Sequence, residues 1–169
     1  SDDWQTWLHL SNPGDSAENP VLEAYSFEGA LLETRALPPI PPRGSWHRNL
    51  AEELQPGTQA AYPWFRIRAE ASLKGMVNFL TTDGQGEALT PLASSLSSSM
   101  LFPCIYHSTW PGSLYTGIAL ANPNDRSATV HLTGYDYQGN PVGPAAELTI
   151  PPMGNTARFL AEYQIGHGE

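Results

Sequence analysis

Five histidines, one cysteine and seventeen carboxylates are the residues of this 169-residue chain best suited to proton, metal or nucleophile chemistry. The histidines stand at 9, 47, 107, 131 and 167, with no HxH or HExxH spacing to bring two imidazoles onto one metal. They read as isolated side chains, facing solvent or lying at a core edge, and no metal site is expected. Cys104 lies in Leu-Phe-Pro-Cys-Ile-Tyr, an apolar setting in which free cysteine behaves as a small buried hydrophobe. A thiolate would want a histidine close by, but His107 is three residues on and points to the opposite face of a strand. The serine run at 94–99 lacks a G-x-S-x-G elbow, and no glycine-rich phosphate loop occurs. Asp15, Glu18 and Asp125 follow Asn-Pro turns, while Asp83 and Glu87 flank Asp-Gly-Gln-Gly. Calcium needs several oxygens on one loop, and a glycosidase needs two carboxyls held roughly 5–10 Å apart. No spacing here enforces either, so turn stabilisation is the reading. The chain is expected to be non-enzymatic, with no cofactor.

Aromatic residues offer a different chemistry. Five Trp (4, 7, 46, 64 and 110) and seven Tyr are many for this length. Trp7 and Trp64 are expected in or beside the core. Trp46, in Gly-Ser-Trp-His-Arg, is expected on a loop, where a flat ring beside His47 could stack on a sugar or a partner protein. Trp46 and His47 are therefore the candidate ligand-binding residues.

The elements that would position them are written twice. Sliding the chain by 110 aligns 4–54 with 114–164 without a gap, and seventeen of the 51 pairs are identical. The shared residues are turn formers and apolar positions, such as Asn12/Asn122, Tyr25/Tyr135, Gly29/Gly139, Ile40/Ile150, Gly44/Gly154 and Leu50/Leu160. TWLHLSNPGD and TGIALANPND each read as a strand and an Asn-Pro turn, in which proline fixes φ and Asn bonds its own backbone. A second alternating strand follows, closed by Gly29 or Gly139; Asp136-Tyr-Gln-Gly139 has the pattern of a type I turn. A third strand leads to Ile-Pro-Pro, where prolines stop ladder pairing. Ser45 and Asn155 are then placed to cap a short helical turn at Leu-Ala-Glu. The Trp46 position is Thr156 in the other copy, and Arg48 is matched by Arg158, so only Trp46 lacks a scaffold explanation.

WFRIRAEA (64–71) and LKGMVNFLTT (73–82) occur once and read as two strands. Short strands every 8–15 residues with Gly and Pro punctuation, and no long amphipathic helix, predict an all-β fold: an Ig-like antiparallel β-sandwich. Two tandem related units with short helical turns are expected, at 1–93 and at 101–169, joined by a Ser-rich linker at 94–100. The second copy ends before the WFRIRAEA and LKGMVNFL strands. It must close by packing on the first as one body or by borrowing an edge from a neighbouring chain.

The wording FP-x(n)-W-x(n)-TGIALANP, then YDYQG, IPPMG and LAEY, resembles tandem β-sandwich repeats of secreted or surface-exposed bacterial proteins. That resemblance covers nearly the whole chain. It implies an extracellular or cell-surface module for adhesion, surface architecture or assembly, with a protein partner or self-association through sheet edges. A glycan-binding accessory module is the alternative, and a β-sandwich hydrolase a more distant one. Eight basic residues against seventeen acidic ones give a net charge of −9, which opposes nucleic-acid binding. No apolar run approaches the roughly 20 residues of a membrane span, so insertion is not expected.

Overall fold

The computed structural model describes residues 4–55, 64–71, 73–82, 87–93, 97–101 and 117–163. Cys104, His107, Trp110, His167 and the Asp83 turn lie outside the described residues, as does part of the Ser-rich run. The chain is mostly β with antiparallel sheets, as its strand periodicity predicts. It divides into two compact units, one of residues 1–24 and 31–98, the other of 25–30 and 99–169. The division falls within the serine run, but the fold groups 25–30 with the second unit.

In the first unit, β1 (Trp4–Ser11), β4 (Ser45–Asn49), β6 (Lys74–Thr81) and β7 (Glu87–Pro91) form one sheet in the order β4-β1-β6-β7. A second sheet has β2 (Val21–Tyr25) between β3 (Leu31–Ala36) and β5 (Trp64–Arg68). β1 alternates: Leu8 and Leu10 are buried, whereas Trp7 and His9 are turned to the other face. β2 carries Leu22, Glu23, Ala24 and Tyr25, buried on both faces, as befits a central strand. The core joins Leu8, Leu10, Leu22, Ile40, Leu50 and Val77, with Trp46, Phe65 and Ile67 packed against it. β7 is an edge strand that the sequence reading did not separate from the preceding turn. Its Pro91 stands at the strand end, where a missing N–H costs least.

In the second unit, β8 (Gly117–Ala121) pairs with β11 (Asn155–Phe159), and β9 (Ala128–Tyr135) with β10 (Pro141–Ile150). β9 alternates without a break along its length, and Ile118, Leu120 and Ile150 make the core with Val130, Leu132 and Leu148. The β9–β10 ladder shifts register between Val142 and Ala146, where Gly143 has φ 69°: a bulge.

One expectation is corrected. Ser45 and Asn155 do not cap helical turns; each begins a strand. Ser45 pairs with Ser11 and Asn155 with Ala121, so each opens a five-residue strand whose backbone pairs in a ladder. The helix α1 (Leu50–Glu53) starts later, capped by Asn49, whose side chain accepts from Ala51 N at 3.0 Å. Leu160–Tyr163 forms the corresponding turn as a 3₁₀ helix. Trp46 thus lies on β4 rather than on a loop.

The turns repeat in detail. Gly44 N donates to Pro41 O at 2.9 Å and Gly154 N to Pro151 O at 3.0 Å. Arg43 and Met153, in the third place of these turns, have φ of 59° and 54°. Such a conformation is unfavourable for a non-glycine residue, and here the surrounding network holds it in both copies. Asp136 O accepts from Gly139 N at 3.1 Å, the expected turn bond. The Asp136 carboxylate accepts from the Asn140 side chain at 3.0 Å, from Asn140 N at 2.8 Å and from Gln138 N at 2.9 Å. These bonds, that of the Asn140 side chain foremost, hold its carboxyl below the ordinary value of 3.8. A depressed folded value means that the turn is favoured above the ordinary value and loses that support as pH falls through the depressed one. NMR titration is expected to find the Asp136 midpoint below 3.8, and to find it raised towards 3.8 in Asn140→Ala. An unmoved midpoint would show that the amide does not hold the charge.

Candidate functional site

β4, β1 and β6 lie side by side, so residues opposed across the ladders form rows on the outer face of the sheet. His47 stands opposite His9, and His9 opposite Met76. The two imidazoles stack with centroids 5.6 Å apart and planes at 12°. Trp7, two residues along β1 on the same face, lies 6.5 Å from the His47 ring at 33°. Its indole Nε1 donates to Gln5 Oε1 at 3.2 Å, which fixes the ring's polar edge. Met76 is 45 % exposed and extends this surface with a polarisable, adaptable side chain. His9, His47 and Met76 border a shallow cleft of about 330 Å³ to which Trp46 and Lys74 also contribute.

The two predicted site residues are adjacent in sequence but turned to different faces. Trp46 pairs with Leu10 and packs against the core, half-buried. His47 pairs with His9 and is exposed. Arg48 is exposed and donates from Nη1 to the His47 carbonyl at 2.9 Å. Of the pair, His47 presents its ring outward, and Trp46 packs on the core.

Sequence reading missed Trp7 and His9, taking the first for a core residue and the second for an isolated histidine. The signal was present in β1 itself. If Leu8 and Leu10 face inward, Trp7 and His9 must face outward together. The same positions in the second copy are Gly117, Ala119 and Ala157. The corresponding surface there is a hollow lined by those small residues with Arg158 and Glu162. The aromatic row therefore belongs to the first copy alone.

Elsewhere, two of the turn carboxylates, Asp15 and Glu18, are engaged within the fold. Asp15 accepts from Arg43 at 2.6 Å, and buried Glu18 accepts from Ala71 N at 3.1 Å. His131 faces Glu147 at 3.5 Å on an exposed part of β9 and β10. Among the described residues no group of three His, Cys, Asp or Glu side chains converges to hold a metal ion. Nor is any helix among them long and apolar enough to cross a membrane. The stacked rings and Met76 can offer flat, weakly polar contact to a ligand, with imidazole nitrogens for hydrogen bonds.

Comparison with protein-family models, curated proteins and solved structures finds no match for the chain.

Proposed function

We propose that the chain is a non-enzymatic, extracellular module of two tandem Ig-like β-sandwich repeats, serving adhesion, surface architecture or assembly. The observation that carries this reading is a duplicated scaffold bond set. Asn12 Nδ2 donates to the carbonyls of Ser16, Ile40 and Pro41, and Asn122 Nδ2 to those of Arg126, Ile150 and Pro151. The repeat preserves the residues that lock turns to strands, whereas the aromatic row of the first copy becomes Gly and Ala in the second. Such units spread small cores along a chain and offer loops and edges to partners. Light scattering over a concentration series tests the assembly branch: mass that grows with concentration is expected. A monomer throughout, with no binding to surfaces or glycans, would overturn the proposal.

A second reading, a glycan-binding accessory module, is favoured by the Trp7–His9–His47 row. His47→Ala is the informative variant, because Trp46→Ala would also remove core packing. If glycans bind here, His47→Ala is expected to weaken retention on an affinity gel about two- to tenfold with an unchanged melting temperature. Equal retention of variant and parent would exclude this face as the binding site.

A further inference from the structure

Inside the second unit, the Tyr25–Ala30 turn is seated on the loop 151–155. Asn155 N donates to Phe27 O at 3.1 Å. The fit is close enough to require glycine on both sides. A Cβ at Gly29 would meet Pro152 O at 2.0 Å, and one at Gly154 would meet Phe27 O at 2.7 Å. Tyr25, Gly154 and Asn155 are all buried at this seat.

The chain holds both pieces a second time. The turn 135–140 has the same geometry as the seated one: φ is 84° at Gly139 and 89° at Gly29, and each turn closes with the same two backbone bonds. The loop 41–45 repeats the acceptor loop, including the positive φ of its third residue. Among the described residues, neither duplicate is covered. A Cβ at Gly139 would meet nothing within 4 Å, and the three atoms nearest one at Gly44 all belong to Pro41 of its own turn. Tyr135 is 59 % exposed where its counterpart Tyr25 is 5 % exposed. Pro41, Arg43 and Ser45 are exposed where Pro151, Met153 and Asn155 are buried or half-buried. The free pieces also differ in charge from the seated pair: Asp136 replaces Ser26 on the turn, and Arg43 replaces Met153 on the loop. Both charges have partners in their own chain, Arg43 with Asp15 and Asp136 with Asn140 and Gln138.

We propose that the turn 135–140 of one chain seats on the loop 41–45 of a second copy, reproducing between molecules the contact formed within each. The inference rests on the reading of this protein as an assembly module and names the surface used. Turn and loop are different patches, so the interface is heterologous: a docked pair still carries one free turn and one free loop, and addition continues past the dimer. One turn on one loop is a small interface, so association is weak and needs roughly millimolar chain.

Sedimentation velocity of the purified chain over a concentration series to about 1 mM, at low and high salt, tests this. The parent is expected to grow past dimer. Gly139→Asn is the decisive variant, because Asn tolerates positive φ and the free turn has room, yet a side chain there blocks seating. It is expected to keep the parent's circular dichroism and to weaken association about tenfold or more. Association of Gly139→Asn equal to the parent's would overturn the proposal. If Leu89→Lys on edge strand β7 abolishes growth instead, assembly runs through a sheet edge: the turn-on-loop contact fails and the assembly reading stands. A parent that stays monomeric in every condition defeats both.

Discussion

Asn12→Ala is expected to cost the first unit about 3 kcal/mol, the largest loss from any single side chain outside the apolar core. Asn12 is 2 % exposed, and every polar atom of its amide is used. Nδ2 donates to Ser16 O at 2.7 Å, Ile40 O at 3.1 Å and Pro41 O at 3.2 Å, while Oδ1 accepts from Gly14 N at 2.9 Å. One residue thus ties the end of β1 to the Asn-Pro turn and to the Pro-Pro turn preceding β4. Its removal takes the Nδ2 donor from Ser16 O, takes the second donor from Ile40 O and Pro41 O, which also accept from Glu18 N and Gly44 N, and leaves Gly14 N without the amide oxygen. For a chain of this size the melting temperature is expected to fall by roughly 6–12 °C in a calorimetric scan. Asn12→Asp separates bonding from packing: it keeps the volume, removes every donation and aims a carboxylate at three carbonyls. It is expected to be at least as damaging as the alanine. A loss below about 1 kcal/mol in both variants would show that the network is incidental. Asn122→Ala is expected to behave alike in the second unit, because its partners and distances match.

The second large effect concerns Glu23, whose side chain is 7 % exposed in the middle of β2. Arg66 reaches its Oε2 from Nε at 2.9 Å and Nη2 at 2.7 Å, and Arg68 reaches its Oε1 from Nε at 2.6 Å. β5 pairs with β2, so arginines two residues apart on β5 share one face and bracket the carboxylate. Replacing both by alanine leaves a buried charge without its guanidiniums, at an expected cost of about 3–5 kcal/mol in urea unfolding. Glu23→Ala is expected to be milder, since Arg66 and Arg68 are partly exposed and can return to water. Changing all three to Glu23→Leu, Arg66→Met and Arg68→Met is expected to recover most of the loss, because no charge then remains to be desolvated. A double arginine variant within about 1 kcal/mol of the parent would mean that the carboxylate is already compensated elsewhere.

Neither network is visible in a residue list, though each follows from patterns that are. Asn-Pro announced a turn, and Asn12 does bond its own turn through Gly14 N. The same side chain's two long-range bonds could not be inferred, because Ile40 and Pro41 come beside it only after β4 pairs with β1. Glu23 in β2 looked like the polar side of an alternating strand. It is buried because sheet order places β2 between β3 and β5, which only tertiary contacts set.

The candidate site divides in the same way. Trp46 was legible as the residue that the repeat does not require, and His47 as its neighbour. They point to opposite faces because β4 is a strand, and its pairing with β1 overrides the helix cap suggested by Ser45. Ladder bonds along five residues outweigh one side-chain cap. The row Trp7, His9, His47 and Met76 gathers residues from three strands separated by tens of positions. Alternation says which residues of one strand share a face, but not which strands are neighbours.

The sequence by itself determined the all-β class, the repeat and its turns, because prolines, glycines, asparagines and period-two alternation act within a few residues. Tertiary structure alone decided which strands pair, which rings stack and which turn finds a seat. Those outcomes depend on contacts between distant segments, and local preference carries no record of them.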